Sequence, residues 1–294
     1  MKPITCSVLV ATYNRPVALE RCLISLFRQT HLPTEIIICD DGSAEPTRRL
    51  IERLQPMSPV PIQHIWQPDD GFQLARIRNM GMAAARGAYI IQIDGDVILH
   101  PHFVKDHLHH AQPGYFFSGT QYHLSPETTQ RLLDDSGLSL IDALRQIRWY
   151  QPRPTSLKAA LQQSNWNWSR LRLLPLQKVV ARFYHWETHY QYVSGCSMGF
   201  WLQDLVEVNG YDEEFTGWGW EDTDIALRLI NLGRTLRFIR LGAIQYHLYH
   251  PLASRGQEQA NKERAIHTIQ QKLISCLHGL QQHYQFQPLQ SPNK

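Results

Sequence analysis

Ala88-Tyr89-Ile90-Ile91-Gln92-Ile93-Asp94-Gly95-Asp96 is an apolar run that breaks abruptly into two carboxylates one residue apart. Ala88 to Ile93 reads as a strand, and its meaning comes from what precedes it. Thr5 to Ala11, Glu35 to Cys39 and Ile62 to Trp66 read as three earlier strands. Helical patterns over Pro16 to Gln29, Glu45 to Leu54 and Gln73 to Arg86 separate them, the first opened by its proline. Strand and helix alternate through the first hundred residues, which predicts an α/β fold with a mostly parallel sheet flanked by helices. Such sheets bind ligands at the carboxyl ends of their strands. Here those ends carry Thr12-Tyr13-Asn14, Asp40-Asp41-Gly42-Ser43 and Asp94-Gly95-Asp96, three polar segments that converge on one crevice.

Two carboxylates at a strand end suit a divalent cation with a preference for hard oxygen ligands, magnesium or manganese, which bridges to phosphate oxygens. Asp-Gly is equally common in plain turns, so the tripeptide alone decides nothing. No GxGxxG or GxxxxGK[ST] pattern occurs, so neither glycine-rich phosphate loop is present and a metal would have to take that part. Arg76 and Arg78 in Leu74-Ala75-Arg76-Ile77-Arg78-Asn79-Met80-Gly81 offer forked donors for phosphate, or a solvated helix face.

A second acidic cluster lies far downstream. Phe215-Thr216-Gly217-Trp218-Gly219-Trp220-Glu221-Asp222-Thr223-Asp224 crowds three carboxylates against two indoles and two glycines where a helix over Ile225 to Ile230 begins, with Gly233 at its end. Acids in a first turn are favoured by the helix dipole, so capping explains them if they stand alone. Val193 to Phe200 reads as a strand beneath this region, with Cys196 structural. Gln257 to Tyr284 reads as one helix packed on the body through Ala265, Ile269, Leu273, Leu277 and Leu280.

With 294 residues, 43% of them hydrophobic and 19% charged, the chain can bury a large core. Its five cysteines include no CxxC pair, which fits a reduced, cytoplasmic setting. No apolar run approaches the roughly 18 residues of a membrane span. The net charge of +3 is unevenly spread. Eight basic and no acidic residues lie between Arg145 and Trp186, with four of the eight tryptophans, leaving the remainder net acidic. That mixture suits an anionic membrane surface at the inner face of the membrane, or an extended acidic or sugar-bearing acceptor; a helical lid with a solvated basic face accounts for it as well. No recognition motif for nucleic acid accompanies the charge.

Ser7-Val8-Leu9-Val10-Ala11-Thr12-Tyr13-Asn14-Arg15, Asp40-Asp41-Gly42-Ser43, Arg78-Asn79-Met80-Gly81, Asp94-Gly95-Asp96 and Gly217-Trp218-Gly219-Trp220-Glu221-Asp222, in that order and spacing, resemble family-2 glycosyltransferases of the GT-A fold. The region from Phe215 to Asp222 is similar to a carboxyl-terminal galactosyltransferase-type module. Gly71-Phe72-Gln73-Leu74 and Gln245-Tyr246-His247 are similar to bacterial chondroitin-polymerase-type transferases. The likeness covers residues 4–111 and 190–250. It implies a Rossmann-like sheet with a nucleotide-sugar half over 1–120, a basic, Trp-rich helical insertion or lid over 121–189, an acceptor and catalytic half over 190–256, and a helix and tail over 257–294.

The resemblance also implies roles. Thr12, Tyr13 and Asn14 would line the nucleotide, Asp41 with Asp40 would bind uracil or ribose, Arg78 would approach the diphosphate, and Asp94 would face ribose or donor sugar. Asp96 and His247 would hold manganese or magnesium, with His250 the competing histidine. Asp222 would be the base, Glu221 would orient hydroxyls, and Trp218 or Trp220 would offer a flat face to a sugar ring. The resembled modules often carry a second glycine where this chain has Trp220. The activity so implied is inverting, metal-dependent transfer from a UDP-sugar to a glycan or glycolipid in surface polysaccharide synthesis. A non-catalytic sugar-nucleotide or glycan-binding module of the same fold is the rival, and a nucleotidyltransferase is disfavoured because no glycine-rich loop follows the first strand.

Overall fold

The chain alternates as its sequence predicts: β1 (Cys6–Thr12), α1 (Pro16–Phe27), β2 (Glu35–Asp40), α2 (Glu45–Leu54), β3 (Ile62–Trp66), α3 (Leu74–Ala84) and β4 (Tyr89–Asp94) follow one another, with ends displaced by at most two residues. Next come β5 (Val97–Leu99), α4 (Phe103–His110), β6 (Tyr115–Ser118), β7 (Thr120–His123) and α5 (Pro126–Asp134). β8 (Ser197–Trp201), α6 (Leu202–Glu207), α7 (Glu221–Asn231), β9 (Thr235–Phe238), β10 (Ile244–His247), α8 (Glu258–Gln271) and α9 (Gln281–Tyr284) complete the order. The computed structural model describes residues 3–134, 190, 193, 195–239, 242–251 and 254–284. The basic stretch from Arg145 to Trp186, and with it most of the expected helical insertion, lies outside the described residues.

Seven strands form the main sheet in the order β3-β2-β1-β4-β8-β6-β9. β1, β2, β3 and β4 run parallel, while β8 is antiparallel to both of its neighbours. Side chains of β1 alternate between two cores: Val8 and Val10 pack with α1, α2 and α4, and Leu9 packs with α3, α6 and α7. Helices on both faces explain why these strands are apolar without alternation. Truncating a side chain such as Ile91, fully buried, would cost about 2–5 kcal/mol.

Two features of this topology position the site. The β4–β8 register pairs Ile93 with Ser197, which sets the Gly195-Cys196 turn beside the carboxyl end of β4. A second sheet, ordered β5-β10-β7, pairs His247 with Val97 on one side and His123 on the other. Because β5 starts one residue after Asp96, and Leu248 N–H donates to the Asp96 carbonyl at 2.9 Å, His247 is carried to the acidic turn.

The carboxyl-terminal helix differs from expectation. α8 stops at Gln271, where Lys272 takes a left-handed φ of 50°, and the chain then runs irregularly to α9. Of the five apolar positions, Ala265 and Leu280 are buried, but Leu277 is 89% exposed and Ile269 and Leu273 also reach solvent. The packed stripe is instead Asn261, Ala265 and Thr268, at helical spacing. Asn261 donates to the carbonyls of Thr216 and Gly219, and Thr268 donates to Asp224, so hydrogen bonding rather than apolar periodicity chose the face. Among the described residues, no helix is long and apolar enough to cross a membrane.

Candidate active site

A cavity of about 520 Å³ opens at the carboxyl ends of β1 and β4. Thr12, Tyr13, Arg15 and Asp41 line one wall, Asp94 and Asp96 the floor, Trp218, Glu221 and Asp222 the opposite wall, and His247 and His250 the edge. The two acidic segments, more than a hundred residues apart in sequence, therefore face one space.

Asp96 sits on the turn after β4, with His247 Nε2 at 3.4 Å from its Oδ1 and His250 Nε2 at 3.3 Å from its Oδ2. Both histidines approach, where the sequence reading set them as competitors. The rings of His247 and His250 lie 5.1 Å apart, and the ligand atoms of all three residues fall within 4.8 Å of one another. Asp96 Oδ1 is buried and has no hydrogen-bond partner among the described residues. A desolvated carboxylate oxygen flanked by two imidazoles fits a divalent cation of manganese type, which accepts mixed nitrogen and oxygen ligands. Arg15 Nη1 meets Asp96 Oδ2 at 2.5 Å.

Arg78 differs from its expected place beside a diphosphate. Its side chain is 1% exposed, and its guanidinium reaches Asp222 Oδ1 at 2.9 Å, Asp94 Oδ1 at 3.1 Å and Glu221 Oε1 at 3.9 Å. It is a buried hub that binds the two acidic clusters to each other, because three carboxylates in a dry site require a cation among them. Asp222 is fixed further by Tyr211, whose hydroxyl donates to Oδ1 at 2.8 Å while accepting from Gln92 Nε2 at 2.9 Å. Gln92 in turn donates to the Gly195 carbonyl at 2.6 Å. Asp222 Oδ2 accepts no hydrogen bond from described residues and lies against Gly195, where a methyl group would overlap the carboxylate. Gly195 is thus required by close approach. Nothing local in the sequence pointed to Tyr211 or Gln92, since both act through partners distant in the chain.

Glu221 is buried, and its Oε2 has no hydrogen-bond partner among the described residues. Burial, then the neighbouring Asp222 charge, push its carboxyl well above the usual glutamate range, with Arg78 opposing. One guanidinium cannot neutralise three carboxylates, and burial favours the protonated form of both Glu221 and Asp94. A protonated carboxyl can donate a hydrogen bond as well as accept one.

The third acid of the segment, Asp224, belongs to the scaffold. It receives Arg228 Nε at 2.8 Å and Thr268 Oγ1 at 2.6 Å, and Arg228 also donates to the carbonyls of Val208 and Gly210. Trp218 lines the cavity with the Arg255 guanidinium 4.7 Å above its ring. Trp220, expected as an alternative sugar platform, packs instead on the side of Phe215, Leu227 and Ala265. Its φ of 73° explains why glycine is common there in the modules it resembles, for a bulky residue is strained in the left-handed region.

On the opposite wall, Asp41 accepts from Gln67 Nε2 at 2.5 Å and from the Gln73 N–H at 3.0 Å, and burial raises its pKa. The Tyr13 hydroxyl donates to Asp69 Oδ2 at 2.9 Å. Gly42 lies so close to the Asp69 backbone that no Cβ would fit, so the loop through Asp69 packs onto this wall. Two expected donor contacts do not reach the cavity. Asp40 is 1% exposed and engages His64 Nε2 at 3.0 Å and the Ser43 N–H at 2.8 Å. Asn14 accepts from the Ala44 N–H and donates its own N–H to Ser43. Both shape the turn that presents Asp41. All five cysteines are free, and burial raises the thiols of Cys6, Cys22, Cys39 and Cys276.

Residues 7–166 match the model of glycosyl transferase family 2, and residues 177–251 match that of the N-terminal domain of galactosyltransferase. Chondroitin synthase of Escherichia coli is 26% identical over 91% of this chain and 38% of its own length. Validoxylamine A glucosyltransferase of Streptomyces hygroscopicus subsp. limoneus is 29% identical over 76% of this chain and 47% of its own. The chain thus spans less than half the length of these curated relatives. Among solved structures, GalNAc-T7 with UDP, GalNAc and Mn2+ superposes with a TM-score of 0.62 at 17% identity, covering 91% of this chain and 48% of that one. The mannosyltransferase of Pyrobaculum calidifontis with GDP-Man and Mn2+ superposes with a TM-score of 0.55 at 14% identity, covering 92% and 63%. The neighbours share the GT-A architecture, and with the family model matching more than half of its residues, the chain belongs to glycosyl transferase family 2.

Proposed function

We propose that this protein is a glycosyltransferase that moves a sugar from a UDP-sugar to a hydroxyl of a glycan or glycolipid, with inversion at the anomeric carbon. The observation that carries the reading is the position of Asp222, whose Oδ1 is held by Arg78 and Tyr211 while Oδ2 accepts no hydrogen bond from the described residues, beside the cavity lined by Asp96, His247 and His250. Oδ2 takes the proton of the acceptor hydroxyl as that oxygen forms its bond to the anomeric carbon; the bond from this carbon to the phosphate oxygen breaks, and its electron pair leaves with UDP. A single displacement by a base-activated hydroxyl inverts the centre. Asp96, His247 and His250 would hold manganese or magnesium, which supplies positive charge to the departing diphosphate.

Asp41, Thr12 and Tyr13 form the wall for the nucleotide, and Asp94 faces the donor sugar. Trp218 presents its ring to the acceptor. Glu221, whose protonated form burial favours, would donate a hydrogen bond that orients a sugar hydroxyl. Similarity to chondroitin and hyaluronan synthases supports a role in surface polysaccharide synthesis. The basic, Trp-rich stretch from Arg145 to Trp186 would dock a cytoplasmic enzyme on the inner face of an anionic membrane, which salt-sensitive sedimentation with anionic liposomes would register.

The direct experiment measures nucleotide release from a panel of UDP- and GDP-sugars, with manganese and with chelator. Manganese-dependent release from one UDP-sugar, lost in Asp96→Ala and in Asp222→Asn, is expected. Absence of both release and binding across the panel would leave a non-catalytic module as the better description.

A further inference from the structure

Five carboxylates line the cavity, Asp41, Asp94, Asp96, Glu221 and Asp222, against two guanidiniums. Arg78 is 1% exposed, its two terminal nitrogens are engaged by three of the acids, and its remaining Nε is buried, so its fork is committed to the acids rather than turned to a ligand. Arg15 is different. Its side chain is 31% exposed, and its partners are Asp96 Oδ2 and, at 3.5 Å, the Tyr249 carbonyl. Its backbone is anchored at the start of α1 through its carbonyl, which accepts from the Leu19 N–H at 3.0 Å, so the side chain turns about a fixed base.

Asp96 has one negative charge and two claimants. A divalent cation held with His247 and His250 would sit within a few ångströms of the Arg15 guanidinium, and like charges at that separation repel strongly in a partly desolvated site. A nucleoside diphosphate brings the anionic oxygens that a forked guanidinium binds best. We propose that Arg15 changes partners: it neutralises Asp96 when no cation is bound, and turns to the phosphate oxygens of the nucleoside diphosphate once a divalent cation occupies Asp96. Arg15 is then the phosphate-binding arginine of this site, the part that Arg78 cannot perform. The inference rests on the reading of the cavity as a sugar-nucleotide site.

The two halves of the exchange have opposite signs, which makes them separable by calorimetry without any turnover. In Arg15→Gln, manganese alone should bind a few-fold more tightly, because a competing, partly exposed ion pair is gone. UDP added at saturating manganese should bind about tenfold more weakly, because a charge-assisted contact is lost. Arg15→Lys keeps the charge without the fork, and should return manganese affinity towards that of the parent while restoring UDP affinity only in part. It also serves if Arg15→Gln melts below the parent. Unchanged or weaker manganese binding in Arg15→Gln would show that Arg15 supports Asp96 rather than competes for it, and unchanged UDP affinity would remove the phosphate contact; either overturns the exchange. A parent protein that binds neither manganese nor UDP would overturn the sugar-nucleotide reading and the exchange together, whereas normal binding by the parent with an indifferent variant overturns the exchange alone.

Discussion

The acidic turn after β4 and the acidic start of α7 are chemically alike and physically opposite. Each offers two carboxylates close in sequence, engages Arg78, and among the described residues leaves one buried oxygen without a hydrogen bond, Asp96 Oδ1 in the first and Glu221 Oε2 in the second. Around Asp96 stand two imidazoles able to share a cation with it, while Arg15 competes for its other oxygen. Around Glu221 stand a dry wall and Asp222, which favour the protonated form of its carboxyl. Residue type supplies a carboxylate; its neighbours decide whether it acts as ligand, donor or base.

The largest effect that would break this contrast is expected from Asp222→Asn. If Asp222 is the base of the second cluster, turnover falls by about 10²–10⁴-fold, while manganese and UDP binding by calorimetry stay at parental strength. An equal loss of binding would mean the clusters are one functional unit. Next is Arg78→Met, which leaves three carboxylates facing one another without their cation. A loss of about 3–5 kcal/mol in urea unfolding is expected, as for other broken buried ion pairs; a near-neutral result would show that the clusters do not depend on their shared guanidinium.

A pH series sharpens the comparison at smaller amplitude. Because the folded-state pKa of Glu221 is raised, its contribution to stability is complete below the ordinary glutamate range, from about pH 4 downwards, and is lost as pH rises through the raised value. Glu221→Gln should remove that decline, an effect on the order of a kcal/mol or more in melting curves taken across the window. A parent whose stability is flat there would mean that Glu221 ionises normally. Smallest is Tyr211→Phe, which deletes one hydrogen bond to Asp222. Turnover should drop about tenfold with the donor KM little changed, matching a contact worth about 1 kcal/mol; an unchanged turnover would assign the orientation of Asp222 to Arg78 and Gly195 alone.

The two clusters were also unequally legible. The first lies on consecutive parallel strands, whose polar ends must meet because parallel register brings carboxyl ends together, so Thr12, Asp41 and Asp94 were placed by counting alone. Even there, Asp40 and Asn14 turned out to hold the turn rather than face the cavity, a distinction between neighbours that pattern does not carry. The second cluster depends on Arg78 of α3, Gln92 of β4, the Gly195 turn before β8, Tyr211 and Thr268 of α8. The misreading of the carboxyl-terminal helix has the same origin, since its packed stripe is chosen by hydrogen bonds from Asn261 and Thr268, and an apolar count selects Leu277 instead.

By itself the sequence determined the alternating fold, the order of the motifs, the family and the residue types available to the site, because strand and helix periodicity and short motifs are local properties of the chain. Tertiary structure alone decided that Arg78 is a buried hub, that His247 and His250 both approach Asp96, that Arg15 shares that carboxylate, and that Asp224 and Trp220 serve the scaffold. These are matters of distance and desolvation between residues up to 234 positions apart, and the charge state of a carboxylate follows from them.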